Sequence, residues 1–181
     1  MSRFAALNDP GLVFVVDDVL DADACAATIA RVEALEPRLT TDGTPRGTIR
    51  HNFRAIENDA VLAEHIYRKV LAHVPPRLID CVPCGANECI RFYRYGPGDY
   101  FKPHQDTDFQ RSPVERSLLS CVVYLNDGYE GGALGLPTQG RVLQPRAGSA
   151  VVFGHRVVHE STLLVRGTKY ALRTDIMYRA A

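Results

Sequence analysis

Hydrophobic positions along the chain change their period near the middle. After a short apolar run from Leu12 to Val16, they recur at helical spacing. Asp21 can cap a helix that carries Cys25, Ile29, Val32 and Leu35 on one face and stops at Pro37. Asp59 can cap a second, with Leu62, Ile66 and Val70 in register and Pro75 and Pro76 beyond its end. Between them, residues 40–48 (TTDGTPRGT) form a polar stretch with two glycines and a proline. Its length suits either a mobile lid or a hairpin whose strands do not declare themselves.

From about residue 88 the period shortens. ECIRFYRY (88–95), SLLSCVVYL (117–125), SAVVF (149–153) and TKYALRTDIMY (168–178) are rich in aromatic and branched side chains. The turn signals GPGD, NDGYEGG, PRAG and RG separate them. Many short strands without intervening helices predict an antiparallel barrel or jelly roll and not a parallel sheet. The fold expected is mainly β with α, the N-terminal helices (about 18–80) packed on one face of a barrel (about 85–178). Nothing marks a domain boundary, so residues 1–181 read as one domain.

Composition narrows the partners. Lysine plus arginine equals aspartate plus glutamate, 21 against 21. That balance argues against nucleic acid or an anionic membrane, both of which need a basic field. No apolar run approaches a membrane span, and the N-terminus lacks the pattern of a secretory signal. Five cysteines, an odd number, suit a reducing compartment, and the cytoplasm is the expected location. Cys81, Cys84 and Cys89 lie close together, but no fourth ligand stands at a matching spacing, so they read as ordinary thiols. Oligomeric state is not legible.

The candidate chemistry begins at FKPHQDTDF, residues 101–109. His104 and Asp106 are two apart, and on an extended strand both would leave the same face. Such a pair can grip a metal, stabilise an imidazolium or merely decorate a surface. A third ligand would come from VFGHRVVHES, where His155 and His159 are four apart. On one strand both would face the same way, so spacing alone does not choose between them. Further on, Lys169 and Arg173 share a strand face, and a cation beside a metal pocket suits an acidic ligand.

His-x-Asp, a histidine about fifty residues later and a basic residue ten beyond it together resemble the Fe(II)/2-oxoglutarate-dependent dioxygenases, the prolyl 4-hydroxylase branch above all. RYGPGDYFKPHQD, CVVYLNDGYEGGALGL, PRAGSAVVFGHRVVHES and the GTKY strand look like that branch's ordered motifs, across roughly residues 85–178. The resemblance implies a double-stranded β-helix with His104, Asp106 and His159 on Fe(II). Lys169 would then pair with the C5 carboxylate of 2-oxoglutarate, beside Tyr95 and Tyr124, and His155 would be a neighbour or a surface residue. It implies O2 as second co-substrate, ascorbate as a stimulant, and hydroxylation of an unactivated C–H bond with release of succinate and CO2. The substrate would be a small molecule, an amino acid or a prolyl residue. Halogenating relatives replace the aspartate with a small residue so that chloride can bind; Asp106 therefore implies hydroxylation.

The residues also allow plainer readings. Tyr95 and Tyr124 sit where core tyrosines are common, and Lys169 would by itself be a solvated strand lysine. Arg173 could help hold 2-oxoglutarate, contact an acidic substrate or pair with Asp175. Arg111, in the loop after the His-x-Asp motif, could contact substrate or be solvated. Two further functions stay open: a sensory metal-binding jelly roll without turnover, and a zinc hydrolase on the same ligands. The second lacks a His-Glu-x-x-His signature.

Overall fold

A computed structural model describes residues 3–41, 43 and 48–181. β1 (Val13–Val16) precedes α1 (Ala22–Ala34), β2 (Arg38–Thr41), β3 (Arg50–Asn58) and α2 (Ala60–Val70). β4 (Cys81–Ala86), β5 (Cys89–Tyr95), β6 (Tyr100–His104), β7 (Gln110–Ser112) and β8 (Glu115–Tyr124) follow. The last part carries β9 (Glu130–Gly131), β10 (Leu134–Leu136), β11 (Arg141–Leu143), β12 (Ala150–Gly154), β13 (His159–Ser161), β14 (Leu164–Arg166) and β15 (Lys169–Ala180).

Both helices start at the expected caps. The Asp21 side chain accepts a hydrogen bond from the Ala24 backbone at 2.8 Å, and Asp59 does the same for Leu62 at 2.8 Å. Each satisfies an N–H that the first helical turn leaves open. Val32, Ile66 and Val70 then bury against Ile90, Phe92, Leu172 and Ile176, on the side of the sheet away from the cavity. Among the described residues no helix is long and apolar enough to cross a membrane.

The main sheet is antiparallel at every pairing and runs β1-β12-β8-β15-β5-β3-β6-β13-β10-β11. It curls on itself. β6 is three places from β15 along that path, yet Asp106, just after β6, touches Ser120 of β8 and Arg173 of β15. The two faces of the curl close over Tyr124, Leu134, Leu136, Val151, Phe153 and Val157. The fold is a jelly-roll-like barrel, mostly β, backed by two helices.

The first half is less helical than its pattern predicts. β2, β3 and β4 all fall there. β3 hides because the face it turns inward carries Arg50, Asn52 and Arg54, so it lacks the apolar alternation that marks a strand. β4 contains Pro83 and Gly85, both poor strand residues. The 40–48 segment joins paired strands, Thr41 standing opposite His51, so its flanks form a hairpin; residues 42 and 44–47 lie outside the described residues. All five cysteines are free thiols.

Candidate metal and co-substrate site

Three segments bring three ligand-type side chains to one point. His104 ends β6, Asp106 lies two residues beyond it and His159 opens β13, directly opposite His104. One ligand atom from each lies within 4.8 Å of the others. The shared-strand expectation for His104 and Asp106 does not hold, because the strand stops at His104. Asp106 is instead oriented by its own N–H, which donates to the His155 carbonyl at 3.0 Å.

Hydrogen bonds fix the histidine tautomers. His104 Nδ1 lies 2.8 Å from the Lys102 carbonyl and His159 Nδ1 lies 3.0 Å from that of Val157. A carbonyl can only accept, so each Nδ1 carries the proton and each Nε2 keeps a lone pair. Both Nε2 atoms face Asp106, at 3.9 Å from Oδ1 and 3.6 Å from Oδ2. Burial lowers both imidazoles, His104 to about 4, so they stay neutral at pH 7. Phe101 stacks on His104 with ring centroids 3.5 Å apart, and Phe153 lies against His159.

Burial alone would raise the Asp106 carboxyl, but Arg173, then His159 and the Ser120 hydroxyl, outweigh it and hold the group at about 2. Arg173 Nη1 donates to Oδ1 while Ser120 Oγ donates to Oδ2 at 2.5 Å. A carboxylate and two neutral imidazoles, each steadied by a second partner, form a donor set suited to a divalent transition metal.

His155 and His159 do not share a strand. His155 follows β12, a turn intervenes, and His159 begins β13. Nor is His155 a surface residue: it is 1% exposed, with Nδ1 2.9 Å from Ser120 Oγ and Nε2 2.8 Å from Ser117 Oγ. It touches Asp106 through Ser120. Sequence spacing gives no signal of this chain, because the two serines come from a strand read only for its apolar face.

The same cavity, about 480 Å³ with its open mouth, extends along β15. Lys169, Ala171 and Arg173 line it, as do Tyr95 and Tyr124 from neighbouring strands. Lys169 is 3% exposed and is not a solvated strand lysine. Its Nζ donates to the Gly132 carbonyl at 2.6 Å and to Ser161 Oγ at 2.9 Å, and no carboxylate meets it among the described residues. Gly132 has φ 62°, and a Cβ there would lie 2.8 Å from Leu164 Cδ1, so glycine brings that carbonyl to the lysine. The ammonium lies 4.9 Å from the Tyr95 ring centre and 5.3 Å from that of Tyr124. Burial lowers Lys169 to about 7 and raises both tyrosines.

Arg173 is already engaged: besides Asp106 it holds Asp175, with Nη2 at 2.8 Å. Arg111 does not reach the cavity. Glu88 and Glu115 clamp its guanidinium elsewhere on the surface, so the structure gives it no place beside a substrate in this pocket.

Residues 90–174 match the family model of the 2OG-Fe(II) oxygenase superfamily. This stretch is similar to the core of the 2OG-Fe(II) oxygenases. That match, together with the His-Asp-His donor set, supports a dioxygenase that uses Fe(II), 2-oxoglutarate and O2. Solved structures agree on the fold. A viral collagen prolyl hydroxylase from Paramecium Bursaria Chlorella virus-1 superposes with TM-score 0.70 at 19% identity, covering 97% of this chain and 99% of the other. A Pseudomonas putida prolyl-4-hydroxylase gives TM-score 0.61 at 22% identity, covering 99% and 100%. A Trichoplax adhaerens prolyl hydroxylase, solved with a hypoxia inducible factor peptide, gives 0.68 at 17%, covering 98% and 87%. Comparison with curated protein sequences finds no match.

Proposed function

We propose that His104, Asp106 and His159 hold the Fe(II) of this oxygenase and that Lys169 anchors the C5 carboxylate of 2-oxoglutarate, with Tyr95 and Tyr124 enclosing it. One observation carries the reading: a three-residue donor set and a buried lysine with no carboxylate partner share one cavity. Bound iron, 2-oxoglutarate and O2 together supply the oxidising power for C–H hydroxylation, with succinate and CO2 released.

The chain's own residues do the positioning. Lys102 and Val157 carbonyls keep both Nε2 lone pairs turned inward. Arg173 and Ser120 keep Asp106 ionised and aimed, and the apolar rings of Phe101 and Phe153 limit water around the imidazoles. Lys169 offers the one buried cation in the cavity not already paired with an acid among the described residues. Asp106 fills the place that halogenating relatives leave open, so the product is hydroxylated. The substrate is a small molecule or an amino-acid or prolyl residue, a class in keeping with the prolyl hydroxylases of the same fold. We take residues 1–181 as one catalytic domain, the barrel acting and the helices supporting it.

Anaerobic addition of Fe(II) and 2-oxoglutarate should produce a visible charge-transfer absorption, and admitting O2 should release succinate. His159→Ala should abolish both. A wild-type protein that binds metal but shows neither signal would favour the sensory or hydrolytic reading.

A further inference from the structure

A second cluster of cations stands beside the rings that line the cavity, and none of them forms an ion pair among the described residues. Arg50 and Arg54 leave the same face of β3, four residues apart with Asn52 between them. Arg54 stands opposite Tyr93 of β5 in the antiparallel register, and Arg38 of β2 stands opposite Arg54 on the other side. The Arg50 guanidinium lies 4.5 Å from the Phe101 ring centre and 5.5 Å from that of Tyr93, and both rings line the cavity.

The hydrogen bonding here is incomplete. Arg50 Nε donates to Asn52 Oδ1 at 2.7 Å, which orients both groups. Arg50 Nη2 is a buried donor with no hydrogen bond among the described residues, and Nδ2 of the fully buried Asn52 meets only the Tyr95 hydroxyl, without a well-formed bond. Arg54 has no ion pair or side-chain hydrogen bond among them either. Burial first, and then the neighbouring Arg50, lowers its guanidinium below the usual arginine value. Elsewhere on the sheet the pattern differs: Arg91 holds Asp175, Arg94 holds Glu33 and Arg173 holds two aspartates. Like charges set opposite each other and buried donors left open both destabilise a free protein. An anion seated between them would relieve both.

We propose that Arg50 and Arg54, with the Asn52 amide between them, bind a carboxylate of the substrate. This rests on the function proposed above and narrows its substrate to an acid. Guanidinium groups grip carboxylates by paired, charge-assisted hydrogen bonds, and Arg50 is pre-set for this by its two aromatic neighbours. The acid is either the terminal carboxylate of a small molecule or an acidic side chain on a peptide, and the two sources present the same group.

The test uses protein loaded with Mn(II) and 2-oxoglutarate, so that Lys169 is occupied and no turnover occurs. Binding is measured by calorimetry for matched acid and amide probes: benzoate and benzamide, N-acetylproline and its amide, acetyl-Pro-Glu-amide and acetyl-Pro-Gln-amide. At least one acid should bind about tenfold or more tightly than its amide, the scale of one charge-assisted hydrogen bond. The responding pair identifies the source. Arg50→Gln and Arg54→Gln should each weaken that acid about tenfold and leave the amide unchanged, while Arg50→Lys restores part of the loss. Equal binding of acid and amide in every pair, or a preference that survives both Gln variants, would overturn the proposal. If the wild type fails to load 2-oxoglutarate, the function proposed above fails instead. The same probes on metal-free Lys169→Met protein then still test the arginines.

Discussion

Lys169 and Arg173 leave the same face of β15 into the same cavity, four residues apart, and both are largely buried. Their surroundings are opposite. Burial would lower Arg173, but Asp106 and Asp175 outweigh it and raise the guanidinium above its ordinary value. Lys169 meets only a carbonyl, a hydroxyl and two aromatic rings, and burial lowers it to about 7. A buried charge is tolerated when it is paired and costly when it is not. The difference separates a cation that serves the protein from one available to a ligand. Of the roles the sequence allowed Arg173, the pairing with Asp175 is present, and Asp106 shares the same guanidinium.

The largest effect expected from this contrast is on stability. Arg173→Met would leave Asp106 and Asp175 as buried carboxylates without their main cation. The loss should be about 3–5 kcal/mol, the usual consequence of removing one partner of a buried pair. Urea unfolding of the metal-free protein measures it. A loss within that of an ordinary surface substitution would mean the two ion pairs do not hold the site.

The second effect is a pH dependence with a definite sign. Unfolded, Lys169 has the ordinary lysine value of 10.5; folded, it lies near 7. Between those values the unfolded chain binds more protons, so the lysine makes stability rise with pH, and below about 7 its unfavourable contribution is constant. The slope it adds should approach about 1.4 kcal/mol per pH unit within that window. Subtracting the curve of Lys169→Met isolates it from cysteine and tyrosine titration. Parallel curves for wild type and variant would show the lysine to be paired in solution.

A smaller effect should follow from His155→Phe. This keeps the volume roughly constant but removes both nitrogens from Ser117 and Ser120. Ser120 then loses its fixed orientation towards Asp106, and metal affinity should fall about tenfold, in the range seen for outer partners of metal ligands. Metal titration followed by tryptophan-free fluorescence of a bound probe, or by calorimetry, reads it. Affinity equal to wild type would reduce His155 to core filling.

What was legible in the sequence follows from how each signal is written. The helix caps Asp21 and Asp59 are local, and so are visible. His104, Asp106, His159 and Lys169 stand out by residue type and order, and the chain folds so that they share a cavity. Ser117, Ser120 and His155 act through contacts between strands far apart in sequence, which no local pattern records. β3 does not declare itself for a related reason: Arg50, Asn52 and Arg54 face inward where an ordinary strand would place apolar residues. The departure from the hydrophobic rule coincides with the cations that form no ion pair among the described residues, as expected where a sequence serves a site over the core.

The central claim is that Lys169, and not Arg173, is the cation left for the co-substrate. Titrating 2-oxoglutarate into Mn(II)-loaded wild type and Lys169→Met tests it most directly. Loss of one partner of a desolvated charge pair is worth roughly 2–5 kcal/mol, or about 30-fold and upward in affinity. The account predicts a loss of that size with Mn(II) affinity unchanged. An unaltered 2-oxoglutarate affinity in Lys169→Met would contradict it.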